Sequence, residues 1–127
     1  YLGLMRHKDG KSLYEKVTDT SNGLKRMARA LGVPVLCLAQ LNREADKGPA
    51  GSPPRLSDLR DSGAIEQDAD VVMFLYRDEY YEKDASTKKG ITEIIIGKQR
   101  NGPTCTVELK WLGQYTKFAN LEYQTQD

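Results

Sequence analysis

At 127 residues the chain is one domain, or most of one, and its 39% hydrophobic and 29% charged content excludes general disorder. A formal net charge of +1 gives composition alone no bias toward nucleic acid, and no apolar run approaches the roughly 18 residues of a membrane span. Cys37 and Cys105 belong to no CxxC pair and His7 is the single histidine, which argues against a structural zinc site; two unpaired cysteines fit a reducing, cytoplasmic setting.

Residues 1–5 (YLGLM) read as the end of a buried strand already under way, so the polypeptide is expected to continue upstream. The basic loop RHKDGK follows at 6–11. Ser12, with Glu15 three residues later, is a capping-box signature. Leu13, Val17, Leu24, Met27, Ala28 and Leu31 then keep helical spacing, weakened at Asn22-Gly23 and stopped at Gly32. Met27, like Met73 further on, reads as a core filler. VPVLCLAQ, residues 33–40, is a continuous apolar run of the kind expected for a strand covered on both faces. Residues 42–55, with three prolines and two glycines, read as a mobile loop.

Short helical stretches at 56–61 and 64–68 lead into a buried strand at 70–76. A solvated loop at 82–90 precedes strands at 91–97 and 104–112, joined by the turn KQRNGPT, with one more strand at 114–118 and a frayed tail. Buried strands alternating with a helix, then a hairpin, imply an α/β layered fold with a mostly parallel sheet.

Charge is unevenly spread. Residues 1–31 carry seven Lys/Arg against three Asp/Glu and 88–117 carry six against two, whereas 58–84 carries three against nine. The bland reading is a solvated surface; the sharper one is two basic loop regions facing phosphates, in a ring whose subunits meet through opposite charges.

Several side chains suit phosphate chemistry. Lys98 and Arg100 stand just past a buried strand, where α/β proteins present fixed cations. Gln40 ends an apolar run, where a neutral amide can bond both a phosphate and a neighbouring loop, or simply cap the strand. In SDLRDSG, Arg60 supplies a forked donor and Gly63 lets backbone N–H groups approach a phosphate, while Asp61 is placed to orient Arg60; Asp58 capping a helix start is the plainer reading. Arg6, His7, Lys8 and Lys11 form a second basic loop. Tyr76, Tyr80 and Tyr81 read as packing at a strand end and a subunit interface rather than as a base-stacking platform.

The stretches DSGAIEQDADVVMFLYRDEYY and EIIIGKQRNGP resemble the C-terminal half of the RecA-like ATPase domain of DnaB-type replicative DNA helicases, and the likeness covers nearly the whole chain. That resemblance implies a hexameric ring that uses ATP and Mg2+ to move along single-stranded DNA, 5′→3′, and to part the duplex. It implies that Arg60, Asp61 and Gly63 belong to the DNA-holding loop, and Arg6, Lys8 and Lys11 to a further one. It also implies that Lys98 and Arg100 reach the neighbouring subunit's ATP and that Gln40 is a sensor between the two sites. Primase and a helicase loader are the implied partners. Asp61 stands where the family usually has glutamate, and Cys105 where it usually has glycine.

YLGLM resembles the segment just after the metal-organising aspartate of the family, and no GxxxxGKS/T loop occurs in the chain. The 127-residue piece is therefore expected not to hydrolyse ATP by itself, with ATP and Mg2+ bound mainly by residues upstream. The rival readings are another RecA-like ATPase, of recombinase or KaiC-like type, and a non-catalytic remnant that binds DNA or helicase subunits.

Overall fold

The structure is a computed structural model that describes residues 2, 5, 10–41 and 52–121, and of residues 60–62 only the backbone. The chain divides into two compact units, the first containing the described residues up to 41 and those from 55 to 70, the second residues 52–54 and those from 71 onward.

In the first unit, helix α1 (Leu13–Leu31) begins with a reciprocal cap. The Glu15 backbone N–H donates to Ser12 Oγ at 3.3 Å and the Ser12 N–H donates to the Glu15 carboxylate at 2.8 Å, so two orphan donors are satisfied at once. The Ser12 hydroxyl, which also donates to the Glu15 carboxylate at 2.7 Å, and then the Ser12 N–H hold that carboxyl below its usual range. At the other end Gly32 adopts a left-handed φ of 63°, and the Val33 N–H returns to the Ala28 carbonyl at 3.2 Å. Asn22-Gly23 does not break the helix. Ser21 donates to Asp68 at 2.7 Å and Lys25 pairs with Asp70, so tertiary contacts flank the weak dipeptide on both sides.

The buried face of α1 is Val17, Thr20 and Ser21, with Leu24 half-buried. Met27 is not core: it is 42% exposed, and Leu13 and Leu31 are more so. The elements described as packing on α1 are short, a seven-residue 3₁₀ helix (Leu56–Ser62) and a six-residue α2 (Gly63–Asp68), and cannot cover a helix of 19 residues. These two fall within a residue of the expected stretches. Asp58 does cap the first of them, accepting the Arg55 N–H at 2.6 Å, and buried Leu59 sits at the kink inside it.

Residues 33–40 form no strand among the described residues, contrary to expectation. The Leu2 N–H donates to the Leu38 carbonyl at 2.9 Å, but Val33, Val35, Leu36 and Leu38 all lie exposed. An apolar run becomes a covered strand only when both edges and both faces find partners.

The second unit holds a four-stranded sheet in the order β1-β2-β3-β4, made of β1 (Val71–Tyr76), β2 (Ile91–Gln99), β3 (Cys105–Leu112) and β4 (Lys117–Asn120). Among the described residues every pairing is antiparallel, so the expected mostly parallel sheet is not seen in these four strands. The connections from β2 to β3 and from β3 to β4 are too short for a crossover, so those strands return beside the one before; the longer one from β1 to β2 carries α3 (Asp78–Glu82). A short 3₁₀ turn (Gly113–Tyr115) and Thr116 at a φ of 49° delay β4 beyond the expected 114–118.

β1 alternates strictly. Val72, Phe74 and Tyr76 are buried, whereas Val71, Met73 and Leu75 are exposed, so Met73 is also not a core filler here. Thr92 of β2 is the most enclosed side chain at 1% exposure, and its hydroxyl has no hydrogen-bond partner among the described residues. A buried unpaired hydroxyl costs about 1–3 kcal/mol. Thr92→Val, which keeps the shape and suits a strand, is expected to raise unfolding stability by about 1 kcal/mol in urea denaturation with an unchanged m-value.

Candidate functional site

The end of the β2–β3 hairpin is where the second unit gathers its candidate cations. β2 runs to Gln99, so Lys98 lies within the strand, opposite Val72, rather than on the turn as the sequence suggested; Arg100 begins the turn. The pairing steps from Met73↔Ile96 to Val72↔Lys98, leaving Gly97 as one extra residue, a β-bulge. Lys98 is half-buried and Arg100 exposed. The turn closes tightly over Gln99: a Cβ at Gly102 would fall 2.6 Å from the Gln99 amide nitrogen. The β2–β3 ladder stops at Ile96↔Cys105, so Lys98 and Gln99 take their described strand pairing from β1.

The opposite end of the sheet is held by charge. Glu93 and Glu108 face each other across β2 and β3, a like-charged pair that would repel. Lys88 stands between them, donating to Glu93 at 2.7 Å and Glu108 at 2.8 Å, and these bonds, Glu108 first, hold its ammonium well above the usual range. The Gly90 N–H donates to Glu79 at 2.9 Å, Arg77 pairs with Glu79 at 3.6 Å, and the Arg77 guanidinium lies 5.0 Å over the Trp111 ring. Asp78 accepts from the Tyr76 hydroxyl at 3.2 Å and from Ser86 at 2.6 Å. The segment expected as a solvated loop is thus pinned at Ser86, Lys88 and Gly90. Sequence reasoning missed this clasp; its signal was a pair of glutamates in otherwise apolar strands. Tyr81 stacks on Tyr76 with centroids 5.7 Å apart, and Tyr80 meets Tyr81 edge-on at 5.2 Å while remaining 70% exposed.

The first unit carries the other candidates. Arg60 and Asp61 lie on the 3₁₀ helix and Gly63 opens α2, so the three share one short segment. Gly63 has ordinary helical angles, and a Cβ there would meet nothing within 4 Å, so the fold itself does not demand glycine. Gln40 is exposed at the end of the apolar run 33–40. Lys11 is exposed and paired with Asp19, whose hydrogen bond raises its pKa. Arg6, His7 and Lys8 lie outside the described residues. Among the described residues no group of three His, Cys, Asp or Glu side chains is placed to hold a metal, and no helix is long and apolar enough to cross a membrane.

Against known proteins, the family model for the DnaB-like helicase C-terminal domain matches residues 1–120. The chain belongs to that family. It is 54% identical over 108 residues to the replicative DNA helicase DnaB of Geobacillus stearothermophilus, an alignment covering 85% of this chain and 23% of that protein. It is 49% identical over 125 residues to the replicative DNA helicase DnaC of Bacillus subtilis (strain 168), covering 98% and 27%. The chain therefore spans about a quarter of the length of these curated relatives. Among solved structures, one ATPase domain superposes with a TM-score of 0.86 at 46% identity, covering 93% of this chain and 41% of that one. A DnaB-like replicative helicase described with its primase interactions gives the same score and identity, covering 93% and 28%. The α/β character of this DnaB-like segment accords with those neighbours.

Burial, and then the Asp78 carboxylate to which it donates, pushes the Tyr76 phenol up to about 12. Between about pH 10 and 12 the unfolded chain has lost this proton while the folded chain keeps it, so folding stability falls across that window. Spectrophotometric titration at 295 nm is expected to show a late-ionising tyrosine, and Tyr76→Phe is expected to remove that late step.

Proposed function

We propose that residues 1–127 are the C-terminal part of a single RecA-like ATPase domain in a replicative DNA helicase. The parent acts as a cytoplasmic homo-hexameric ring that consumes ATP, with Mg2+, to move along single-stranded DNA and part the duplex at the fork. The observation carrying this reading is the cation-bearing hairpin end, Lys98 in the strand and Arg100 at the turn, in a chain of the DnaB-like helicase family. The RecA-like, mostly parallel core would include the run 33–40, a reading supported by the bond from the Leu2 N–H to the Leu38 carbonyl.

Two cations fixed on one strand end fit the γ-phosphate of an ATP bound to the neighbouring subunit, where a guanidinium stabilises charge on the transferring group. When bound, ATP would supply the phosphoryl group and Mg2+ would offset its charge; by the family likeness both would be held mainly by residues upstream of this segment. Accordingly the segment alone does not hydrolyse ATP. Arg60, oriented by Asp61, and the open backbone at Gly63 grip DNA phosphates; a loop this acidic binds through backbone geometry more than net charge. Arg6, Lys8 and Lys11 form a secondary DNA loop, in which Lys11 exchanges its Asp19 partner for phosphate. Gln40 links nucleotide state to the DNA loop. Primase is a partner by likeness to the neighbour described with it, and a helicase loader by family.

In the parent helicase, Arg100→Ala and Lys98→Ala are each expected to lower DNA-stimulated ATP hydrolysis, by roughly 10³-fold for the arginine, with hexamer assembly retained by size exclusion. Wild-type turnover in both variants would overturn the assignment. Arg60→Ala is expected to weaken single-stranded DNA binding alike on all sequences and to flatten the salt dependence, log K against log salt, by about 0.7. An unchanged slope would remove Arg60 from the DNA contacts.

A further inference from the structure

We propose that Gly97 is a positioning residue for Lys98: the β-bulge it makes decides which face of the sheet the lysine leaves from. This rests on the reading of Lys98 given above.

The pairing runs Tyr76↔Glu93, Leu75↔Ile94, Phe74↔Ile95, Met73↔Ile96 without a fault. Glu93 and Ile95 therefore share the face of the buried side chains Val72, Phe74 and Tyr76, while Ile94 and Ile96 share that of Val71, Met73 and Leu75. A straight strand would continue this alternation and send Lys98 to the face of Ile94 and Ile96, which β1 lines with exposed apolar side chains. Instead Lys98 lies opposite Val72, and Gln99 opposite Val71. One extra residue has reversed the parity of everything beyond it. The reversal falls directly before the two cations and nowhere else in the described β1–β2 ladder.

The bulged residue is a glycine, which gives a strand least resistance to such a fold. Its φ is not left-handed, since the positive-φ glycines are Gly10, Gly32 and Gly90. Backbone conformation therefore does not bar alanine from the bulge. Valine cannot do so easily: a β-branched side chain favours the regular pleat, and a regular pleat slips the register by one residue and moves Lys98 to the other face. Deleting residue 97 has the opposite consequence. Ile96 then precedes Lys98 directly, and the unbroken alternation leaves Lys98 opposite Val72.

The test uses the full-length parent hexamer and measures kcat and KM for DNA-stimulated ATP hydrolysis. Five proteins are compared with wild type: Gly97→Val, Gly97→Ala, deletion of Gly97, Lys98→Ala, and the double variant Gly97→Val/Lys98→Ala. Gly97→Val is expected to lose kcat with little change in KM, while Gly97→Ala and the deletion keep most of it. The double variant should match Lys98→Ala to within about twofold, because a residue that acts only through Lys98 has nothing left to hold. Losses that multiply in the double variant would mean general damage and overturn the proposal. So would wild-type turnover in Gly97→Val, or an assembled but inactive deletion, when Lys98→Ala is defective. If Lys98→Ala itself turns over normally, the assignment of Lys98 fails and this inference falls with it. Should Gly97→Val not assemble by size exclusion, the deletion decides alone: active supports the proposal, assembled and inactive overturns it.

Discussion

The antiparallel pairing of β1 with β2 is the constraint from which the second unit takes its form. It sets Tyr76 opposite Glu93 at one end and Val72 opposite Lys98 at the other. From the first pairing follow Glu93 facing Glu108, the need for a cation between them, and hence the fixed position of Lys88 and of the segment that carries it. From the second follows the placement of the hairpin end. The two ends are stabilised by different means. One is a charged clasp whose carboxylates would repel without Lys88, partly exposed and so of modest strength. The other is a backbone irregularity and a tight turn over Gln99.

The first unit is organised by polar locks more than by an apolar core. Ser21 to Asp68 and Lys25 to Asp70 join α1 to the segment around α2, and they do so beside the residues least inclined to be helical. That arrangement lets the helix tolerate Asn22-Gly23, since packing supplies what local propensity withholds. It also leaves apolar side chains outside the contact. Leu13, Met27 and Leu31 on α1 and most of the run 33–40 are exposed, a larger apolar surface than an isolated small domain normally carries. Such surface suits a segment that spans only 41% of a neighbouring ATPase domain.

Local signals in the sequence were read well. Ser12 with Glu15 gave the helix start, Gly32 its end, and the Asn-Gly-Pro turn the hairpin, because each depends on contacts within a few residues. The family was legible for a different reason: two long, unusual stretches are specific whatever their conformation. What the sequence did not reveal depends on partners far along the chain. VPVLCLAQ has the composition of a covered strand, but composition does not say whether a neighbour is present. VVMFLY reads as a buried strand and is buried on one face. The antiparallel return of β2 beside β1 has no local signature, because a connection of that length fits a return as well as a crossover. Lys98 was placed on the turn because Gly97 looks like a strand end, whereas it is a bulge inside a longer strand.

The contrast between the candidate cations carries a physical argument about which can act with precision. Lys11 sits beside a helix start with Asp19 already neutralising it, so any phosphate must displace a partner before it is bound. Its contribution in the proposed role would be to affinity, and it would fade with salt like any exposed pair. Lys98 is held by a paired strand, half-buried, with its face fixed by the bulge. The backbone that carries such a charge is fixed on folding, not at the moment of reaction, which in the proposed role favours electrostatic stabilisation of a transferring phosphoryl group. In the proposed role, the hairpin, more than the number of cations, would distinguish a site serving a neighbour's reaction from a loop that merely attracts an anion.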